Sequence, residues 1–324
     1  MSGRTHIAWT AYCLTTLLLI LVNRNIIASY HQYFTLFALQ SLFNVVVCRA
    51  VVGADLPKKL ISRRVCSDAD AAVFSLDSFD PAKAKMAFWP AVVYFLIVVT
   101  NRLALGLVNI TTIVVIRSAA ILSIPALYSD AQPQSLYRLG AVAAIVLGTF
   151  IYGHYNEYAP TEFGEAKGVV FCIFNAALAT VYAHLFKSTT TPSPSSSQSL
   201  PPSELELTYY FHLLLFPLNL LLVAYLREYP LDFANVFSFD STGRNWILLS
   251  FPVTFVHFYS MFATQLNVSA LSFVVTNNIN KIPYLLAALF FFGQGDIAAS
   301  VLGLLLSSLA ALAYYFQRNP RVRK

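Results

Sequence analysis

The chain has 324 residues, of which 57% are hydrophobic and only 11% are charged; the mean hydropathy is +0.64 and the formal net charge is +6. This balance excludes a water-soluble globular domain. The basic residues lie mainly between apolar stretches, so we interpret the positive charge as a topology signal and not as a nucleic-acid-binding surface.

Ten apolar stretches follow one another along the chain, each about 20 residues long, which is the length that crosses a bilayer as a helix. They cover residues 7–27, 32–52, 86–106, 109–128, 137–156, 168–187, 207–226, 246–266, 269–292 and 297–316. Their uniform character between short turns favours helices over a β-barrel. The sequence therefore predicts an all-α membrane protein with about ten transmembrane helices, nine or eleven being the alternatives.

The connecting segments predict the topology. The first stretch lacks a cleavage pattern, so we expect it to be a retained helix. Lys and Arg concentrate at both termini and in the 53–85 segment, which the positive-inside rule places in the cytosol. The Ser, Thr and Pro-rich 188–206 segment is the second long cytosolic loop. Four scattered cysteines indicate neither a disulfide framework nor a metal site.

The fourth and ninth stretches share a pattern that indicates internal duplication. Each begins with Asn-x-Thr or Asn-x-Ser and carries one deep cation, Arg117 or Lys281, followed by a proline. They are five helices apart and would cross the membrane in opposite directions, as in transporters built from inverted repeats. We therefore predict one transporter domain over residues 1–324, with a first five-helix repeat at 1–156 and a second at 164–317.

The deep cations have no acidic partner in the sequence pattern. No Asp or Glu falls within any of the ten stretches, whereas Arg117 and Lys281 lie far from the stretch ends. A charge at that depth costs at least about 2.5–3.5 kcal/mol on insertion scales and is normally paired or functional. An anionic ligand such as a phosphate would complete the pairing. The alternative is that both cations bind backbone carbonyls and amide side chains and serve packing.

Amide side chains surround Lys281 and extend the candidate site. On a helix, Asn277 shares a face with both Asn280 and Lys281, while Asn278 points about 100° away. Amides beside a cation suit a ligand that carries hydroxyl and diphosphate groups together, as a sugar attached to a nucleotide does. These three asparagines are therefore candidate ligand-binding residues.

The seventh stretch opens with an aromatic run that includes Tyr210 and His212. Aromatic faces stack on nucleobases, and the tyrosine hydroxyl and the imidazole can hydrogen-bond a base edge. Tyrosine is also common at membrane interfaces for ordinary partition reasons, and a histidine can be a packed core residue. Both interpretations stay open at this point.

These motifs resemble those of the nucleotide-sugar transporters of the drug/metabolite transporter superfamily, most closely the GDP-mannose transporters of the Golgi. The ninth helix of that family carries Gly-Ala-Leu-Asn-Lys, an apolar residue and Pro, and this chain keeps Asn280, Lys281 and Pro283. Its seventh helix carries Phe-Tyr-Asn-Asn, whose Asn pair is associated with guanine. Here Phe211 and His212 replace that pair, so guanine is not implied by the match, and Asn277 and Asn278 replace the Gly-Ala of the ninth helix, so mannose is not implied either.

The resemblance implies an antiporter that imports a nucleotide-sugar from the cytosol into the Golgi or endoplasmic-reticulum lumen in exchange for a nucleoside monophosphate. It implies no catalytic residue, cofactor or metal, and its partners would be the cargo and the lipid bilayer, with a homodimer as a candidate assembly. The implied cargo contacts are Lys281, Asn280, Asn277, Arg117, Tyr210, His212 and Asn278.

Three other functions remain as alternatives. A transporter of a smaller phosphorylated metabolite needs the same cations but no base-binding region. A membrane-embedded glycosyltransferase would need carboxylates at a membrane face, and the dense lumenal group Glu157, Glu162 and Glu165 is better explained as a solvated loop. The third alternative is a relative that no longer transports. We therefore do not expect an enzyme.

Overall fold

The computed structural model describes residues 3–29, 32–53, 80–105, 164–190, 202–226 and 241–268, together with positions 107, 140, 143–144, 147–148, 151, 228, 273, 302–303, 305–306 and 309–310. Six long α-helices account for the described ranges. In chain order they are α1 (Gly3–Ser29), α2 (Tyr33–Gly53), α3 (Pro81–Leu105), α4 (Gly164–Thr190), α5 (Glu204–Leu226) and α6 (Ser241–Asn267).

All six helices are long and apolar enough to cross a membrane, with candidate spans of 18 to 25 residues. At about 1.5 Å per residue, such spans match the roughly 30 Å of a bilayer's hydrocarbon core. Large apolar side chains, among them Leu14 and Leu221, are exposed on the helix surfaces, as contact with lipid permits. These helices fit a multi-pass membrane protein.

Six of the ten predicted stretches coincide with these helices to within five residues at each end. The other four, at 109–128, 137–156, 269–292 and 297–316, lie largely outside the described residues. The total of ten helices and the 5+5 inverted repeat therefore stay predictions. The helical character itself is confirmed throughout the described ranges.

Helix α3 begins five residues before its apolar stretch because a polar cap starts it. Asp80 Oδ1 accepts hydrogen bonds from the backbone N–H groups of Ala82, at 2.9 Å, and Lys83, at 3.4 Å. Pro81 occupies the first helical position, where no amide hydrogen is needed. Hydropathy measures apolar length and does not detect such a cap.

Helix α5 also starts earlier than its apolar stretch, through a capping box. The backbone N–H of Glu206 donates to Ser203 Oγ at 3.2 Å. In return, Glu206 Oε2 accepts hydrogen bonds from Ser203 N at 2.8 Å and from Ser203 Oγ at 3.1 Å. This reciprocal pairing satisfies the free donors at the first turn and fixes where the helix begins.

The chain divides into two compact units. The first comprises Met1–Phe95 and Leu185–Val268, and the second comprises Leu96–His184 and Ser269–Lys324. Within the first unit, α1 packs on α6 and α2 packs on α5, while α6 also contacts α2 and α5. The described part of this unit contains two clusters of buried residues; the first is made of Val22, Ile26, Leu36 and Ile247, the second of Cys48, Ala87, Leu205, Tyr209 and Tyr210.

In the second unit, a buried asparagine joins α4 to α3. The Asn175 amide donates to the backbone oxygen of Ile97 at 2.6 Å and to Thr100 Oγ1 at 2.8 Å. A polar side chain in an apolar span is thus paired with a neighbouring helix, which is how such groups are accommodated in membrane proteins.

The N-terminus of α2 is capped by a residue that follows the end of α5. Glu228 Oε2 accepts hydrogen bonds from the backbone N–H of Thr35 at 2.9 Å and from its hydroxyl at 3.0 Å. Glu228 Oε1 accepts from the N–H of Phe34 at 3.4 Å. A carboxylate at a helix N-terminus also interacts favourably with the helix dipole.

Replacing Glu228 with alanine is expected to lower the free energy of unfolding by about 1–2 kcal/mol, because Thr35 and Phe34 lose their acceptor. Glu228→Gln keeps one acceptor oxygen and should lose about half as much. Titration of the purified protein in mixed detergent micelles with SDS measures both effects. Equal midpoints for the parent protein and Glu228→Ala would contradict the capping role.

Candidate functional site

Two of the predicted ligand-binding residues, Tyr210 and His212, lie on α5 in the first unit. The structure therefore positions the side chains expected to contact a nucleobase. The other predicted contacts lie outside the described residues and stay predictions; they are Lys281, Asn280, Asn277, Asn278 and Arg117.

The His212 side chain is fully buried where three helices meet. Its Nε2 lies 2.9 Å from Nδ2 of Asn44 on α2. Its ring packs edge-on against Phe258 of α6, with ring centroids 4.3 Å apart. The Asn44 side chain is fully buried as well, so the two polar residues form a hydrogen-bonded pair inside the first unit.

With the Asn44 amide oriented as in the structure, this hydrogen bond assigns the tautomer of the neutral His212 ring. An amide NH₂ group can only donate, so Nε2 accepts and the proton of the neutral ring lies on Nδ1. The Nδ1 of His212 and the Oδ1 of Asn44 are both buried and have no hydrogen-bond partner among the described residues. The pair therefore offers one donor and one acceptor to a further polar group.

A second buried histidine extends the polar region along α6. His257 lies with its ring centroid 5.3 Å from that of Tyr12 on α1 and 5.5 Å from that of Phe258. Its Nδ1 is also buried without a partner in the described ranges. Nearby on the same two helices, Thr15 Oγ1 and Ser260 Oγ are 3.4 Å apart. We define the central cluster as Tyr12, Asn44, His212, His257 and Phe258.

The central cluster can hydrogen-bond and stack, but none of its members carries a carboxylate, an ammonium or a guanidinium group. It suits an uncharged polar group with an aromatic face. Among the described residues, no group of three or more His, Cys, Asp or Glu side chains is placed to hold a metal ion.

Tyr210 and its neighbour Tyr209 use their hydroxyls to join α5 to other helix ends. The Tyr210 hydroxyl accepts a hydrogen bond from the backbone N–H of Asp80 at 2.8 Å. The Tyr209 hydroxyl accepts from Nη2 of Arg49 at 3.0 Å, and the Arg49 guanidinium lies 4.9 Å from the centroid of the Tyr209 ring. Both tyrosines are buried, and contact between Tyr210 and a base stays a prediction.

Phe211 packs in an aromatic cluster between α3, α5 and α6. Its ring centroid lies 5.1 Å from that of Phe262 and 5.3 Å from that of Tyr94, both in edge-to-face geometry. Such contacts add about 0.5–1.5 kcal/mol beyond the area that they bury. The position next to His212 is therefore a core position in this chain.

The sequence contained only a weak signal for the other polar members of the central cluster. Asn44 and His257 lie in apolar stretches, but each shares its stretch with further polar residues, such as Gln40 and Thr254, and so does not stand out as Lys281 does. The predicted site was based on charged residues, on the amides beside Lys281 and on the aromatic run of α5, and so it did not include Asn44 or His257. Tyr12 carried no signal of its own, because a tyrosine near the start of a span is common at membrane interfaces.

No protein-family model matches this chain, and no curated protein sequence matches it. The fold does have a counterpart among solved structures. A protein of known crystal structure superposes on the chain with a TM-score of 0.64 at 17% sequence identity, covering 98% of each chain. At that identity the likeness shows a shared fold alone.

Proposed function

We propose that this chain is a nucleotide-sugar antiporter that imports its cargo from the cytosol into the Golgi or endoplasmic-reticulum lumen in exchange for a nucleoside monophosphate. The observation that carries the proposal is Lys281, a deep cation in a chain whose apolar stretches hold no acidic residue. It stands in an Asn-Lys-Ile-Pro run that is similar to the ninth helix of GDP-mannose transporters.

The architecture supports this proposal at the level of class. An all-helical chain with several membrane-spanning helices provides the scaffold that a multi-pass transporter needs. The ten-helix count, the two inverted repeats and the cytosolic termini belong to the proposal. In it, Lys281 and Arg117 bind the phosphates, and Asn277, Asn278 and Asn280 bind the sugar hydroxyls.

The central cluster supports a cargo that includes a base. A nucleobase edge presents hydrogen-bond donors and acceptors side by side, and its rings stack on aromatic side chains. In the proposal, Nδ1–H of His212 and Oδ1 of Asn44, which have no hydrogen-bond partner among the described residues, bond the edge of the base.

Counter-flow uptake tests the proposal directly. The purified full-length protein is reconstituted into liposomes preloaded with one nucleoside monophosphate at a time, and a panel of labelled nucleotide-sugars is added outside. We expect at least one nucleotide-sugar to enter only when the matching monophosphate is inside. Uptake no faster than in protein-free liposomes across the whole panel would overturn the proposal.

A transporter of smaller phosphorylated metabolites is the second candidate, because the two deep cations suit any phosphate. The same panel separates the two functions if sugar phosphates and inorganic phosphate are included. A double substitution of Tyr210 and His212 would not separate them, since both side chains are buried and support the packing of α5. Faster exchange of sugar phosphates than of nucleotide-sugars would favour the second candidate.

A further inference from the structure

Three helix ends in the first unit are tied together by polar side chains. Lys83 of α3 forms an ion pair with Glu206 of α5, with Nζ and Oε1 2.5 Å apart. Beside it, Tyr209 is bound by Arg49 of α2, and Tyr210 is bound by the backbone N–H of Asp80. Adjacent positions at the start of α5 thus connect it to both α2 and α3.

The ion pair is partly withdrawn from solvent. The side chain of Glu206 is 4% exposed and that of Lys83 is 24% exposed. One carboxylate oxygen of Glu206 binds Lys83, and the other is engaged by Ser203 in the capping box. Removing one partner of a buried pair leaves an uncompensated charge that must be hydrated. Because Glu206 is almost fully buried, breaking its bond to Lys83 leaves the carboxylate poorly hydrated unless the helix ends separate.

A thiol lies in the apolar cluster directly behind these contacts. Cys48 of α2 is fully buried, and its Sγ is 3.9 Å from the backbone oxygen of Leu205. The cluster around it includes Ala87 of α3 as well as Tyr209 and Tyr210. Separation of the three helix ends would admit water to this thiol, so the labelling rate of Cys48 reports on that separation.

We propose that the ion pair and the two tyrosine hydroxyls form a latch. The latch is defined as Arg49, Asp80, Lys83, Glu206, Tyr209 and Tyr210. It holds the adjoining ends of α2, α3 and α5 together and opens locally, exposing Cys48, while the rest of the chain stays folded. In the antiporter proposed above, this opening is an access step on the side of the membrane where the latch lies; that assignment rests on the proposed function.

Thiol labelling of the full-length protein tests the latch. Cys13→Ser and Cys66→Ser leave two thiols, Cys48 and Cys172, both of which are buried. A polar maleimide is added in detergent, and mass spectrometry follows the labelling rate at each cysteine. Loss of a charge-assisted hydrogen bond in Lys83→Met should raise the rate at Cys48 about tenfold. The rate at Cys172, in the second unit, should stay unchanged.

The matched control is Lys85→Met, which removes the same charge two residues along α3 at an exposed position. It should label Cys48 at the parent rate, as should Lys83→Arg, which keeps the ion pair. A Tyr209→Phe, Tyr210→Phe double variant removes only the two hydroxyls and should again accelerate labelling of Cys48.

Two results would overturn the latch. The first is an unchanged rate at Cys48 in both Lys83→Met and the double tyrosine variant. The second is a parallel rise at Cys172, which would show general loss of the fold in place of local opening. Neither result depends on cargo, so failure of the latch and failure of nucleotide-sugar exchange in the counter-flow panel are separate outcomes.

Discussion

His212→Ala is expected to lower the free energy of unfolding by about 3 kcal/mol. The substitution empties a fully buried ring site against Phe258 and leaves the amide of Asn44 without its acceptor. Large-to-small changes in a core cost about 2–5 kcal/mol, and an unsatisfied buried donor adds about 1–3 kcal/mol where the site cannot collapse. SDS titration of the purified protein in mixed micelles measures the change.

The exposed histidine His6 on α1 provides the matched control. His6→Ala removes the same side chain from the surface and should change the unfolding free energy by less than about 0.5 kcal/mol. Because His212 and Asn44 share one hydrogen bond, Asn44→Leu combined with His212→Ala should cost less than the sum of the single changes. Similar losses for His212→Ala and His6→Ala would contradict the central cluster as described.

Lys281→Ala is expected to reduce nucleotide-sugar exchange at least about 100-fold while leaving the amount of folded protein unchanged. A hundredfold loss corresponds to about 2.7 kcal/mol, within the range of one or two charge-assisted hydrogen bonds to phosphate. Removing an ammonium from an apolar stretch also lowers the cost of inserting that stretch, so stability should not fall. Initial counter-flow rates, normalised to the monodisperse protein recovered, give the comparison.

Lys281→Arg tests the same position with the charge retained. Arginine offers a fork of donors where lysine offers a point charge, so exchange should recover only in part. Lys167→Ala, at an exposed position at the start of α4, is the control and should exchange at the parent rate. Exchange by Lys281→Ala as fast as by the parent would remove the main support for the proposed function.

The sequence predicted where helices lie better than how they begin. Apolar length located all six described helices, because a bilayer imposes a minimum run of apolar residues on each span. The early starts of α3 and α5 follow from Asp80 with Pro81 and from Ser203 with Glu206. Both signatures are legible in the sequence, but they consist of polar residues and so reduce the hydropathy that was used to set the boundaries.

The sequence likewise predicted one part of the candidate site and missed another. The aromatic run correctly drew attention to His212, whose polar atoms remain open, but burial of Tyr210 and its bond to Asp80 depend on a neighbouring helix end. The partner of His212, Asn44, is 168 residues away in the chain. No local periodicity links two such positions, so the central cluster could be recognised only once α2 and α5 were seen packed together.

The 168-residue distance along the chain between Asn44 and His212 has a consequence for biosynthesis. At about 5–20 residues per second, roughly 10–30 s pass between the synthesis of Asn44 and that of His212. During this interval α2 is already available to the insertion machinery. Asn44 does not yet have His212 as its partner, and the N-terminus of α2 does not yet have Glu228, which follows α5. The apolar side chains around Asn44 must therefore be sufficient for α2 to insert into the bilayer before α5 is synthesised. Substitutions that weaken those side chains would impair insertion even where they leave the finished fold intact.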